Sequence, residues 1–211
     1  MVERPSSGIG KENILYRSTT AFLPRNWSRD GRWLVLRGIL KGSAALYLLP
    51  VSPERTGERK PIPFQELAYQ DQDGAVSPDG RWMLYSSEQT GRREVFVQSM
   101  PEAAGGAHTG ASKRKISTAG GSQPAWRADG KEIFFLAADG KMIAVPVESS
   151  PVTFKAGVPK PLFQTRLESD LPIRNYDIST DGERFLVAHP VAEGTEVPLT
   201  VILNWPALLN K

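Results

Sequence analysis

Apolar residues in this chain fall into short, nearly unbroken runs separated by glycine turns, and the same order of runs and turns recurs four times. Each unit has an apolar residue, two variable residues, Asp-Gly, and then a polar-led apolar run. The copies are Trp27-Ser28-Arg29-Asp30-Gly31-Arg32-Trp33-Leu34-Val35-Leu36, Val76-Ser77-Pro78-Asp79-Gly80-Arg81-Trp82-Met83-Leu84-Tyr85, Trp126-Arg127-Ala128-Asp129-Gly130-Lys131-Glu132-Ile133-Phe134-Phe135 and Ile178-Ser179-Thr180-Asp181-Gly182-Glu183-Arg184-Phe185-Leu186-Val187. Asp-Gly between apolar runs signals a hairpin, because glycine accepts the positive φ of a tight turn. The runs do not alternate apolar and polar, which predicts strands covered on both faces.

A second turn follows in every complete unit. Ala138-Asp139-Gly140-Lys141 separates Phe134-Phe135-Leu136 from Met142-Ile143-Ala144-Val145. Thr90-Gly91-Arg92 lies between Leu84-Tyr85-Ser86 and Val95-Phe96-Val97, and Lys41-Gly42-Ser43 precedes Ala45-Leu46-Tyr47-Leu48-Leu49. Outer-strand candidates then occur at Pro61 to Phe64, Arg114 to Ser117 and Pro161 to Gln164. No long stretch carries helical periodicity.

The turn glycines stand at 31, 80, 130 and 182, so the units repeat every 49, 50 and 52 residues. Units of about 50 residues with four antiparallel strands describe the blades of an all-β β-propeller, each covering its neighbour's apolar face. A β-sandwich would not repeat one motif at this period. The expected blades span about 20–66, 67–118, 119–165 and 170–206. The last unit ends in a third strand, Thr200 to Trp205, and lacks an outer strand of its own. The short strand-like run 12–18 either closes the ring by completing that blade or belongs to a preceding blade. The four units are accordingly either a complete ring or part of a larger propeller.

Composition agrees with many short strands: 19 glycines and 17 prolines in 211 residues. With 26 basic against 23 acidic residues, the net charge is only +3, and the basic residues do not gather along one element as in a typical nucleic-acid binder. The two basic clusters, Lys113-Arg114-Lys115 and Arg92-Arg93, read as loops. Absence of cysteine excludes disulfides, thiolate nucleophiles and Cys-ligated zinc. No run approaches the roughly 20 apolar residues of a membrane span, and the N-terminus has no signal-peptide pattern. The expectation is a soluble chain, cytoplasmic as it stands, or periplasmic within a longer anchored one.

The second repeat, Val76 to Tyr85, resembles the TolB-type, WD-like propeller repeat. Gly91-Arg92-Arg93-Glu94-Val95-Phe96-Val97, Gly120-Gly121-Ser122-Gln123-Pro124-Ala125-Trp126, Gly157-Val158-Pro159-Lys160-Pro161-Leu162-Phe163 and Pro198 to Trp205 resemble a bacterial subset of that family. In that subset such propellers often form the C-terminal part of chains that begin with a serine/threonine protein kinase or a transcription-regulator domain. The resemblance runs from about Ile14 to Leu209 and speaks to fold more than to function. Arg29 and Thr180 replace the proline of the second repeat.

Candidate chemistry is sparse. Asp30, Asp79, Asp129 and Asp181 read as turn residues whose carboxylates accept backbone N–H groups, too far apart from blade to blade to share an ion. His108 and His189 have no ligand-like neighbours. Ala119-Gly120-Gly121-Ser122 lacks the lysine of a phosphate loop and reads as a connection between blades, and no Gly-x-Ser-x-Gly elbow is present. Trp27, Trp33, Trp82 and Trp126 occupy equivalent repeat positions and suggest inter-blade packing, with Trp27 and Trp126 close enough to the inner turns to line the channel in part. Ala103 to Ser112 reads as a flexible surface loop.

These readings predict a non-enzymatic scaffold for protein or peptide binding or sensing, with no catalytic, metal or cofactor site. The alternative is an accessory or sensor domain of a kinase or peptidase whose catalytic part lies elsewhere. A small-molecule site at the channel mouth is a third reading. The expected partner is a protein or peptide, with no nucleic acid and no membrane insertion.

Overall fold

The computed structural model is all-β. It describes residues 1–52, 59–65, 69–101, 112–150, 153–169, 171 and 173–188, together with the backbone of 200–202, and none of these is helical. A ribbon of β1 (Val2–Glu3) and β2 (Asn13–Ile14) precedes the first sheet, in which β3 (Leu23–Trp27), β4 (Trp33–Leu40), β5 (Ser43–Pro50) and β6 (Ile62–Pro63) follow one another antiparallel. The second sheet repeats that order with β7 (Gln72–Val76), β8 (Trp82–Ser87), β9 (Glu94–Ser99) and β10 (Lys113–Lys115). In the third, β11 (Ser122–Trp126) and β12 (Glu132–Leu136) lead to a long β13 (Lys141–Ser149). One end of β13 pairs with β14 (Phe154–Ala156) and the other with β15 (Lys160–Gln164). The fourth sheet has β16 (Tyr176–Ile178), β17 (Phe185–Val187) and β18 (Thr200–Ile202).

Each Asp-Gly site is the turn joining the first two strands of a sheet. Gly31, Gly80, Gly130 and Gly182 have φ of +71°, +76°, +74° and +79°. Their N–H groups donate to Ser28, Ser77, Arg127 and Ser179 carbonyls at 2.9, 2.9, 2.9 and 2.8 Å. Four turns of one geometry explain why the sequence repeats so strictly there.

The sheets pack face to face in series. One apolar cluster joins the first and second sheets, with Trp33, Val35, Leu46, Leu48 and Phe64 against Val76, Met83, Tyr85 and Phe96. The next joins Trp82, Leu84, Val95 and Val97 to Ile133, Phe135, Val145 and Phe154. A third joins Phe134, Leu136 and Met142 to Tyr176, Phe185 and Val187. Middle strands are therefore apolar on both sides, and every residue of β8 is buried. Full burial of one such Leu or Phe side chain contributes roughly 1.5–3 kcal/mol, so the sheets depend on one another. Among the described residues no apolar cluster joins the fourth sheet to the first.

Two expectations are corrected. Among the described residues the run 12–18 does not pair with the fourth sheet, against the ring-closing alternative. Its Asn13 and Ile14 pair with Glu3 and Val2, and Leu15 packs on Leu34, Leu36, Tyr47 and Leu49 of the first sheet. That apolar face has no preceding sheet against it among the described residues, and Leu15, Phe22 and Tyr16 cover it instead. The Lys113-Arg114-Lys115 cluster is a strand and not a loop. It is the exposed outer strand of the second sheet, where cationic side chains guard an open edge against further pairing.

Trp82 and Leu186 test this arrangement. Trp82→Ala, emptying the interface with Phe154 (ring centroids 5.1 Å apart), is expected to cost about 3–5 kcal/mol in urea denaturation. Leu186→Ala, on an exposed side of the fourth sheet, is expected to change stability by under about 0.5 kcal/mol. A comparable loss at Leu186 would mean that another surface covers the fourth sheet.

Candidate functional site

The innermost strands share a defect with a purpose. β3, β7 and β11 each lose register against their partner at the same point, between Pro24 and Asn26, Gln72 and Ala75, and Ser122 and Ala125. At two of these bulges a residue other than glycine takes positive φ, Asp73 at +59° and Gln123 at +52°. Such a backbone costs of order 1 kcal/mol or more and persists only when neighbours hold it. Here the next sheet does. Asp73 Oδ2 accepts the Gln123 N–H at 3.2 Å, and Gln123 Oε1 accepts the Asn175 N–H at 2.9 Å. From the first sheet, Asn26 Oδ1 accepts the Val76 N–H at 3.0 Å, and the Trp126 indole donates to the Ala75 carbonyl at 3.1 Å.

The bulges lie beside the connections between sheets, and these connections hydrogen-bond to the turns between second and third strands. Asp71 N–H donates to the Ala44 carbonyl at 2.9 Å, Gly121 N–H to Arg93 at 3.0 Å and Thr165 N–H to Gly140 at 2.9 Å. Glu94 fixes the middle connection. Its fully buried carboxylate accepts from Arg92 Nε at 2.7 Å, from the Gly120 N–H at 3.0 Å and from the Ser117 hydroxyl, with Lys115 Nζ at 3.5 Å. Burial pushes this carboxyl up, but those partners outweigh it and hold it below the usual glutamate value. Gly121 is required for the close approach, since a Cβ there would lie 2.9 Å from the Phe135 ring.

Three adjoining clefts result on this face. One of about 340 Å³ lies along Thr90, Gly91, Arg92, Glu94 and Lys115. The second, about 230 Å³, is bounded by Arg92, Arg93, Gly120, Gly121, Ser122, Ala138 and Ser169. A third of about 480 Å³ runs along Ala138, Asp139, Gly140 and Thr165 to Ser169. The first and second share Arg92, and the second and third share Ala138 and Ser169.

No family model matches the sequence, and no curated protein matches it. Solved structures do match. TolB from Acinetobacter baumannii is 17% identical over 92% of this chain and 44% of its own, with a TM-score of 0.60. The tricorn protease is 15% identical over 87% of this chain and 20% of its own, with a TM-score of 0.51. A putative TolB from Agrobacterium tumefaciens is 16% identical over 84% of this chain and 73% of its own, with a TM-score of 0.36. This chain folds as a TolB-like β-propeller. It spans less than half the length of the Acinetobacter TolB chain.

The TolB-like propeller uses its repeat aspartates as turn braces. Asp30, Asp129 and Asp181 Oδ1 accept the N–H two residues on at 3.0, 3.0 and 2.9 Å, and Asp79 does so at 3.2 Å. Successive turns are nevertheless neighbours, contrary to the wide separation expected: a Cβ on Gly80 would lie 2.6 Å from Asp30 Oδ2. Among the described residues no three His, Cys, Asp or Glu gather as metal ligands. Trp33 and Trp82 are buried between sheets, and Trp126 packs beside Phe154 at 6.2 Å between ring centroids. Trp27 is 48% exposed. Ala119 to Ser122 is the connection between the second and third sheets, and Arg92-Arg93 is a turn, as expected. His108, His189 and Ala103 to Ala111 lie outside the described residues, as does Trp205.

Sequence reading missed two acids on this face, Asp71 buried and Asp73 half-buried. Asp73 is surrounded by Arg25, Arg37 and Arg93. Burial pushes its carboxyl up, against the pull of Ser86, the Gln123 N–H, Arg25 and Arg93. Asp71, 1% exposed, is pushed by burial up to about 6, against weaker pulls from Ser87, Lys113 and the Tyr69 backbone. The run Gln70-Asp71-Gln72-Asp73, polar at the start of a buried strand, was their only signal.

Asp71 makes stability depend on pH. Its folded-state pKa is above the ordinary value, so its stabilising contribution is complete below about pH 4 and is lost as pH rises through about 6. Asp71→Asn is expected to gain roughly 1–3 kcal/mol relative to wild type between about pH 4 and pH 7.5. Denaturant melts of both proteins at the two pH values check this, and an unchanged difference would refute it.

Proposed function

We propose that this TolB-like propeller is a non-enzymatic scaffold that holds a protein or peptide on the face formed by the 88–93 and 138–140 turns and the 117–122 and 165–169 connections. The run of three adjoining clefts carries this reading: together they offer an extended, polar groove on a rigid frame, the form that suits a chain of residues rather than one compact molecule. The rigidity comes from the inter-sheet hydrogen bonds and the Glu94 clamp.

The repeat aspartates and Glu94 are engaged within the fold. Repeat aspartates brace their own turns, and Glu94 has Arg92, Lys115, Ser117 and Gly120 around it. The scaffold takes no cofactor in this reading. Among the described residues no helix is long and apolar enough to cross a membrane.

Selection of peptides from a displayed random library against the immobilised chain tests the proposal. Selected peptides are expected to bind with a Kd of order micromolar, about −8 kcal/mol. Thr90→Glu combined with Arg166→Glu, both exposed on the cleft face, should weaken them by about tenfold or more. Lys131→Glu, on an Asp-Gly turn, should change affinity by less than about twofold. No enrichment, or equal losses from both faces, would refute the proposal.

A further inference from the structure

The middle cleft contains donors that the protein itself does not use. Arg93 points one nitrogen, Nη2, at Glu88 Oε1 at 2.5 Å, while its Nη1 is buried without a hydrogen-bond partner. The Ser122 hydroxyl, on a residue 2% exposed, is also without a partner. Both residues line the same cleft, between the 88–93 turn and the Gly120-Gly121 connection. A buried donor left unpaired costs about 1–3 kcal/mol, so two on one small cleft mark a place where an acceptor fits. Neighbouring backbone donors are already taken, Gly120 N–H by Glu94 and Gly121 N–H by the Arg93 carbonyl.

We propose that this cleft binds the carboxylate of an acidic residue in a bound peptide, with Arg93 Nη1 and Ser122 Oγ donating to its two oxygens. The inference rests on reading the cleft face as a peptide-binding surface. Carboxylate oxygens accept from a guanidinium and a hydroxyl at once, and such charge-assisted bonds are stronger than neutral ones. The local charge suits an anion: the guanidinium-bearing Arg92 and Arg93 both line the cleft, and no acidic residue does among the described residues. Larger clefts on either side, of about 340 and 480 Å³, leave room for the residues flanking the acid.

Fluorescence anisotropy with a labelled heptapeptide alternating glycine and glutamate, capped at both ends, tests the proposal against its glutamine counterpart. The glutamate peptide is expected to bind about tenfold or more tightly, and less tightly at high salt. Ser122→Ala removes a buried hydroxyl with no partner in the fold, so it should hold or raise the melting temperature while weakening the glutamate peptide about threefold or more. Arg93→Lys should weaken it further, and if that variant fails to fold, Ser122→Ala alone decides. Equal binding of the two peptides, or unchanged affinity in Ser122→Ala, overturns the proposal. Stronger competition by inorganic phosphate than by acetate overturns the choice of a monocarboxylate. Neutral library-selected peptides that bind this face and ignore Ser122→Ala would sink this inference and leave the scaffold reading intact, whereas no peptide binding of any kind would sink both.

Discussion

A side-chain oxygen at the bulge of one inner strand receives a backbone N–H from the innermost segment of the next sheet. Asp73 does this for Gln123, and Gln123 for Asn175, across 50 and 52 residues of sequence. This link sets the distance and rotation from one sheet to its successor. It also explains why the backbone tolerates positive φ at Asp73 and Gln123: the left-handed turn is what brings the acceptor across. Apolar packing drives the sheets together without direction, and the polar link fixes the register in which they meet.

From that register the cleft face follows. The connection leaving each sheet must pass close to the turn it has just made, and glycine at 121 permits the approach to Phe135. Glu94 then holds the 117–120 segment through the Ser117 hydroxyl and the Gly120 N–H, which leaves Ser122 and Arg93 on a common cleft. Structural and binding roles are thus divided among neighbours. Arg92 is bound to Glu94 and the Thr118 carbonyl, while Arg93 and Ser122 each retain a donor. The acids Asp71 and Asp73 lie next to this arrangement and tie its electrostatics to pH.

Turns and strands were largely legible in the sequence. Asp30-Gly31, Asp79-Gly80, Asp129-Gly130 and Asp181-Gly182 have local geometry that two residues dictate, and the apolar runs after them gave β4, β8, β12 and β17. Trp33 and Trp82 were readable as packing residues because both faces of their strands are apolar. Trp27 was not distinguishable from Trp126, since exposure depends on whether another sheet precedes it. The ring-closing reading of residues 12–18 failed for a related reason. A short apolar run pairs with whatever edge or face lies nearest, and here that was the strand at residues 2–3 and the first sheet's open side.

Sequence by itself determined the repeat, the hairpins and the two-sided apolar strands, because each depends on residues a few positions apart: glycine conformations, side-chain turn bonds and the period of apolar positions. Tertiary structure alone decided which donors are spent and which are free. Arg92 and Arg93 are adjacent and chemically identical, yet one is bound to Glu94 and Thr118 and the other keeps an unpaired nitrogen beside Ser122. That difference arises from groups brought together across sheets by inter-sheet hydrogen bonds and burial, over separations that no local pattern encodes.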